Sequence, residues 1–211
     1  MKVQKNADQP KLARRRTQAE RREQGKRALL KSAAELFAEQ GVSQTSLMQI
    51  GARAGYSRGL VNHHFGSKDE LIDQLARYAQ ENFWAAFDTI SVETGYDGVM
   101  ATFETFYGQI VPPTSFGRAY MVMWGGALPM KSAKTVVVET DNRSRALLVD
   151  WIRTGHADGT IPLDVDAEAT AVTLLAMLRG LAAQLQISPE LAKTDGLYAQ
   201  YRRSFSAVLG R

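Results

Sequence analysis

Cysteine is absent from all 211 residues, which removes disulfides and thiolate metal sites and fits a reducing, cytoplasmic setting. No apolar run approaches the length needed to cross a bilayer, so no membrane association is expected. The N-terminus is charged and lacks the apolar stretch of a secretory leader. No segment sustains the apolar–polar alternation of a strand; "TVVVET" favours β structure but is too short to overturn its helical surroundings. Internal repeats and low-complexity tracts are missing too. What the chain does have is 45% apolar residues, enough to bury a real core as one sizeable helical domain or two small ones.

The net charge of +4 is unevenly spread. Residues 1–78 carry 15 Lys/Arg against 8 Asp/Glu, whereas residues 79–211 carry 11 against 14. Within the first part, residues 1–27 hold 10 bases and 3 acids, and residues 28–78 balance at 5 and 5. Residues 1–20 therefore read as a basic arm suited to a polyanion, either nucleic acid or an acidic surface. A solvated terminus accounts for the same composition.

Almost every periodic segment has the spacing of a helix, so the fold class is all-α. Leu29, Leu30, Ala33, Leu36 and Phe37 recur at three- and four-residue steps, with Gly41 as the expected end. A short helix follows over Ser46–Ala54, broken by Gly55 and Tyr56. Ser57 can cap a second short helix reaching Phe65. The S-x-x-E box Ser67-Lys68-Asp69-Glu70 opens a long helix. Further helices are expected over 97–111, over 115–128 with Pro129 as the stop, over 133–156, from Asp164 or Asp166 to Ile187, and over 195–209.

Two helices as short as 46–54 and 57–65 cannot stand alone. They need the helices on either side as a platform, and three helices with a tight turn before the last is the layout of a helix-turn-helix DNA reader. Gly51 in the first of them points to a close helix crossing, because Gly costs about 1 kcal/mol against Ala in a helix. On a helical wheel at about 100° per residue, Val61 and Phe65 share the inner side. Gly59, Asn62 and His63 lie opposite, bordered by Leu60, His64 and the head of Arg58. Asn can bridge adenine N6 and N7, Arg can bridge guanine O6 and N7, and an apolar side chain can meet a thymine methyl. Thr45 and Ser46 at one helix start, and Ser67 with Lys68 at another, suit phosphate oxygens.

Histidine occurs three times, and the adjacent pair His63–His64 raises the question of a metal or catalytic site. Adjacent positions on a helix diverge, whereas ligand pairs favour i, i+3 or i, i+4. His156 stands apart with no carboxylate cluster tied to it. No metal, cofactor or catalytic residue is expected.

Residues 29 to 76, "LLKSAAELFAEQGVSQTSLMQIGARAGYSRGLVNHHFGSKDELIDQLA", resemble the tetracycline-repressor (TetR) family of bacterial transcriptional regulators. The resemblance rests on Gly41, Thr45-Ser46, Ile50, Ala54-Gly55, Ser57, Gly59, His64-Phe65 and Ser67-Lys68 with Leu71. It implies a homodimer, a three-helix DNA-binding head over residues 21–66, and a helical body over 67–211 that senses a small molecule and dimerises. Three positions depart from the family pattern. Asn62 stands where the family usually has tyrosine, Met48 where a polar or basic residue often reaches DNA, and Tyr56 where a small aliphatic is usual, so Tyr56 either touches a phosphate or packs. Arg14, Arg15 and Arg16 suit a minor groove, or form part of a mobile tail.

The body holds all three tryptophans and many Met, Phe and Tyr residues, which serve as core or as the lining of a site between helices. Trp84, Phe103, Tyr107, Tyr120, Met123, Trp124, Trp151 and Met177 are the expected liners of a pocket for an apolar or aromatic effector. The pocket is placed between the helices at 97–111, 115–128 and 133–156, against the long helix from Lys68. The helix ending at Ile187 is apolar nearly all round, so one side is expected to face a second subunit. Val172, Leu175, Arg179 and Ala182, with Tyr198 and Phe205 of the last helix, are the expected dimer contacts. The resulting expectation is a repressor released from a palindromic double-stranded DNA operator by a small-molecule inducer that displaces the helix from Lys68. The alternative is a ligand-independent DNA-binding or partner-recruiting all-α module. An enzyme using His63, His64 or His156 lacks a nucleophile–base–orienter set.

Overall fold

The structure, a computed structural model, describes residues 17–126 and 131–211. Among these residues nine α-helices follow one another and no strand occurs. They are α1 (Gln18–Gln44), α2 (Leu47–Ala54), α3 (Arg58–Phe65), α4 (Lys68–Ala85), α5 (Gly95–Ile110), α6 (Ser115–Gly125), α7 (Lys131–Asp158), α8 (Ala167–Ile187) and α9 (Leu197–Val208). Short 3-10 turns at Phe87–Thr89 and Pro189–Lys193 join α4 to α5 and α8 to α9. Arg14, Arg15, Arg16 and the rest of residues 1–16 lie outside the described residues, as does Pro129.

Local chemistry sets the helix ends. Thr17, Ser46 and Ser67 each accept the N–H of the residue three positions on, and Glu20, Gln49 and Glu70 reach back to the cap's own N–H. Each such box satisfies two otherwise unpaired backbone donors at the start of its own helix. The Ser46–Gln49 box was legible as S-x-x-Q but was not anticipated. Ser57 caps α3 through Leu60 N–H. Gly41 does not end α1 as its position suggests. Its φ of 80° and ψ of 165° interrupt the helix, which resumes to Gln44. Only glycine adopts that backbone cheaply.

One hydrophobic cluster joins Leu29, Ala33 and Phe37 of α1 to Ile50 of α2, Val61 and Phe65 of α3, and Leu71 and Leu75 of α4. The same cluster runs on into Ala119 and Met123 of α6, Val136 and Val137 of α7, and Ala182 of α8. Burying each Leu or Phe is worth about 1.5–3 kcal/mol, so the short helices α2 and α3 borrow their stability from α1 and α4. Across the boundary expected at residue 66 the helix changes but the core has no gap. α6 lies along α1 in the most extensive helix pairing of the described residues. A second cluster gathers Trp84, Phe103, Phe106, Ile152, Leu174, Leu178 and Phe205. The tight α2–α3 crossing expected at Gly51 is present, since a Cβ there would lie 3.0 Å from Val61 Cγ2 of α3 and 2.9 Å from the carbonyl oxygen of Tyr56 in the turn.

The structure corrects several expectations about the body. α8 is long and apolar enough to cross a membrane, with mean hydropathy 1.3, although half of that window is buried inside the molecule. Of the expected dimer contacts, Leu175, Arg179, Ala182 and Phe205 are buried within the protomer itself. Leu175 and Ala182 belong to the inner of two apolar stripes on α8, which was counted with the outer; Arg179 is held inward by Asp141, and Phe205 of α9 fills the second core cluster. Val172 and Tyr198 are the exposed members, at 54% and 42%. Phe103 and Met123 are fully buried core residues, so neither is free to line a pocket.

α5 and α7 cross so closely that a Cβ on Gly98 would lie 2.1 Å from the Trp151 ring. A Gly98→Ala substitution is expected to lower unfolding stability by about 1–3 kcal/mol. Gly108→Ala, on the same helix but facing open space, is expected to raise it by roughly 0.5–1 kcal/mol. Urea unfolding midpoints of the two variants check this; equal effects would refute the close crossing.

Candidate functional site

The edge of α3 that leaves the core matches the helical-wheel expectation. Val61 and Phe65 are buried at 0% and 2%, whereas Arg58, Gly59, Asn62 and His63 are exposed, with Leu60 and His64 half-buried between. The Ser57 hydroxyl holds one end of this edge by accepting Leu60 N–H at 3.3 Å, and Gly66 N–H closes the other on the Asn62 carbonyl at 2.7 Å. The face offers an amide, an imidazole, a guanidinium and a bare backbone step, without a carboxylate. Such a face can donate, accept and make apolar contact at once. The His63 and His64 rings sit 6.0 Å apart, edge to face, so they do not converge on one ion. No group of three or more metal-ligating side chains occurs among the described residues.

His64 packs toward α1. Its Nε2 lies 3.5 Å, and the Tyr56 hydroxyl oxygen 3.6 Å, from where a Cβ on Gly25 would be. Tyr56 is half-buried against the head core, which favours the packing alternative for this residue. Burial pushes the His64 imidazole below its ordinary pKa of 6.5, and the charges of Arg22, His63 and Lys26 push the same way, with Glu23 opposing. Sequence reading overlooked Arg22 and Lys26 as cations near α3. The signal was the basic run "ERREQGKR", whose helical spacing brings those two to one side.

A concave niche beside α3 is lined by Ser46, Leu47, Met48, Arg58 and Lys68, with no acidic residue in its wall. It sits at the N-terminus of α2, whose free N–H groups and dipole favour an anion. Lys68 Nζ is 3.5 Å from the Ser43 carbonyl, so its charge hangs over this niche. Arg53 is spent elsewhere, on Glu39 at 2.7 Å, and that bond holds the Glu39 carboxyl below its usual range. Thr45 is a correction. It is 1% exposed, its hydroxyl donates to the Gly41 carbonyl at 2.9 Å, and its N–H goes to Val42. It locks the break in α1, and although it lies in the niche wall its hydroxyl and N–H are already engaged.

A cavity of about 260 Å³ opens between α4, α5 and α6, with Arg179 of α8 in its wall. Tyr78, Phe83, Phe106, Phe116 and Tyr120 supply aromatic surface, and Gln80 and Arg179 supply polar groups. Of the expected liners only Tyr120 lines it. α7, expected as a wall, is replaced there by α8. Trp84 sits in a separate surface groove, where the Arg143 guanidinium lies 4.0 Å from its ring centre. Trp124 lines a third depression on the outer side of α8. Tyr107, Trp151 and Met177 pack against the second core. Bulky aromatics in a helical body mostly fill space, and their spacing does not tell a wall from a core.

The cavity's inner end is polar and buried. Arg179 donates to Asp141 at 2.9 Å, and the other oxygen of that carboxylate accepts Trp124 Nε1–H at 3.2 Å. The Arg179 guanidinium also stands 5.4 Å from the Tyr120 ring centre. Three polar atoms make no hydrogen bond of good geometry: Arg179 Nε, the Tyr120 hydroxyl and Gln80 Oε1. Burial pushes the Tyr120 hydroxyl pKa up and outweighs the opposing pull of the nearby Arg179 and Thr140 side chains, so it stays protonated and able to donate.

Two family models match the chain. "Bacterial regulatory proteins, tetR family" covers residues 29–75, and "BetI-type transcriptional repressor, C-terminal" covers residues 105–210. The HTH-type transcriptional repressor KstR2 of Rhodococcus jostii is 27% identical over 143 residues, 66% of this chain and 69% of its own. An HTH-type transcriptional repressor of Mycobacterium tuberculosis is 47% identical over 51 residues, 24% of this chain and 27% of its own. Among solved structures, Salmonella enterica GusR superposes with a TM-score of 0.73 at 23% identity, over 89% of this chain and 96% of its own. With a helix-turn-helix head and both halves of the chain matched, this protein belongs to the TetR family and is a DNA-binding transcription regulator.

Proposed function

We propose that this regulator is a cytoplasmic repressor that binds a palindromic operator as a homodimer and leaves it when a small molecule occupies the cavity between α4, α5 and α6. The observation that carries this reading is the course of α4. It begins at Lys68 in the cationic niche and supplies Tyr78, Ala79, Gln80, Asn82 and Phe83 to the cavity wall. Gln80 lies twelve residue steps along the helix from Lys68, about 18 Å at about 1.5 Å per step. A rigid rod of that length conveys a shift at the cavity to the head. α6 offers a second route, because Phe116, Gly117, Tyr120 and Met121 line the cavity while the same helix packs on α1.

In the bound state each α3 lies in a major groove with Gly59, Leu60, Asn62, His63 and Arg58 toward the bases, and the two grooves are about 34–36 Å apart. Ser46, Ser57 and Lys68 meet the phosphates. Val172, Ala176 and Gly180 form the exposed side of α8, and we assign this side, with Tyr198 near α9's start, to the partner subunit. An effector that favours a different α4 position changes the head separation, and a coupling of about 1–3 kcal/mol suffices for a switch.

An operator-shift assay on DNA from the gene's own upstream region tests the reading. Preference for one palindrome is expected, and uniform affinity for all sequences would overturn it. Asn62→Ala and His63→Ala are each expected to lose about 1–3 kcal/mol of discrimination at the contacted base pair. Lys68→Ala is expected to weaken binding to every sequence and to lower the salt slope by about 1. Competition binding against a randomised site separates the two outcomes.

The depressed His64 pKa adds a pH dependence. The unfolded chain takes up this proton near the ordinary value of 6.5, the folded one only below it, so acidification through that window favours unfolding. The melting temperature is expected to fall between pH 7 and pH 5 more steeply in the parent than in His64→Gln. Parallel curves would remove His64 as the cause.

A further inference from the structure

We propose that the cavity between α4, α5 and α6 selects an uncharged, flat aromatic molecule of about two fused rings, bearing a hydrogen-bonding head that both donates and accepts, such as a carboxamide. The inference rests on the effector reading above and deepens it.

Size sets the first bound. Benzene fills an apolar cavity of about 150 Å³, so about 260 Å³ takes two fused rings with a small head. Shape sets the second. Tyr78, Phe83, Phe106 and Phe116 line the space, and rings of this kind favour offset or edge-on contact with another flat ring. An aliphatic ligand of equal volume would forgo that contact.

The head is specified by what the wall leaves unmet. Arg179 Nε–H can only donate, Gln80 Oε1 can only accept, and the Tyr120 hydroxyl can do either; none makes a hydrogen bond of good geometry, although the Thr140 and Arg179 side chains stand beside the Tyr120 hydroxyl. All three residues are more than nine-tenths buried, at 7%, 8% and 6% exposure, and all three line the cavity. Buried polar groups are rarely left so. A carboxamide supplies an acceptor for the first, a donor for the second, and either for the third. It also serves the Gln80 amide in both of its orientations.

Charge excludes the neighbouring classes. No carboxylate lines the cavity, and its one ionised residue is cationic. An organic cation would therefore be buried beside Arg179 without a counter-charge, whatever its attraction to the rings. An anion meets the opposite obstacle. Asp141 already neutralises Arg179 at 2.9 Å, so an added carboxylate would leave a net negative charge buried. A hydrocarbon fits the rings and leaves all three polar atoms unmet.

Calorimetric titration of the full chain with four probes of one shape tests this: 2-naphthamide, 2-naphthoate, a 2-naphthyltrimethylammonium salt and naphthalene. The amide is expected to bind tightest. Tyr120→Phe and Gln80→Leu are each expected to weaken the amide roughly tenfold while leaving naphthalene unchanged. Both variants remove an unmet polar group, so neither is expected to lower the melting temperature of the free protein. Tighter binding of the naphthoate or the ammonium salt, unchanged amide affinity in both variants, or binding by none of the four would overturn the inference. Operator release is read separately by fluorescence anisotropy. A naphthamide that binds at Tyr120 and Gln80 yet leaves the operator occupied upholds the ligand class and overturns the effector reading.

Discussion

The edge of α3 proposed to read DNA depends on a packing constraint. α2 and α3 have eight residues each, too few to persist as helices in water. They hold their positions because Ile50, Val61 and Phe65 are buried against Leu29, Phe37, Leu71 and Leu75. Val61 and Phe65 thereby decide which residues of α3 face outward. A bulkier residue at Gly51 would push against Tyr56 and Val61 and separate the two short helices. The edge is precise because its back is crowded.

The same constraint ties the head to the body. α1 and α4 are each shared, with one side under the head and the other in contact with α6 or α7. Interiors are close-packed and yield little, so a displacement in the cavity wall has no soft boundary at which to dissipate. The proposed switch needs no separate hinge, because α4 extends from the cationic niche to the cavity and α6 from the cavity to α1.

Arg179 shows how the body holds a charge inside. A buried guanidinium is costly unless paired. Here Asp141 pairs it, Trp124 secures the carboxylate, and the Tyr120 and Phe106 rings lie beside it at 5.4 and 5.5 Å. α6, α7 and α8 are thus fastened through one carboxylate. Removing one partner of such a pair costs about 3–5 kcal/mol. The pair also separates the cavity from the depression on the outer side of α8, since Arg179 lines both.

Local signals in the chain were enough for the helices, for the caps at Ser57 and Ser67, and for the outward edge of α3. Each depends on residues at most four positions apart, as with Ser57 and Leu60 or Val61 and Phe65. Burial that depends on distant partners was not readable. Thr45 looks like a phosphate contact by type, yet the break at Gly41 brings a carbonyl over its hydroxyl. Phe103 and Met123 look like pocket liners, yet neighbours from other helices cover them completely. Gln80, Phe116 and Arg179 gave no sign of sharing a cavity, because they come from three helices as much as 99 residues apart in the chain. Helical periodicity settles which way a side chain leaves its own helix. Whether it meets solvent, a cavity or another side chain is decided by how the helices pack, and that packing is set by contacts between residues far apart in sequence.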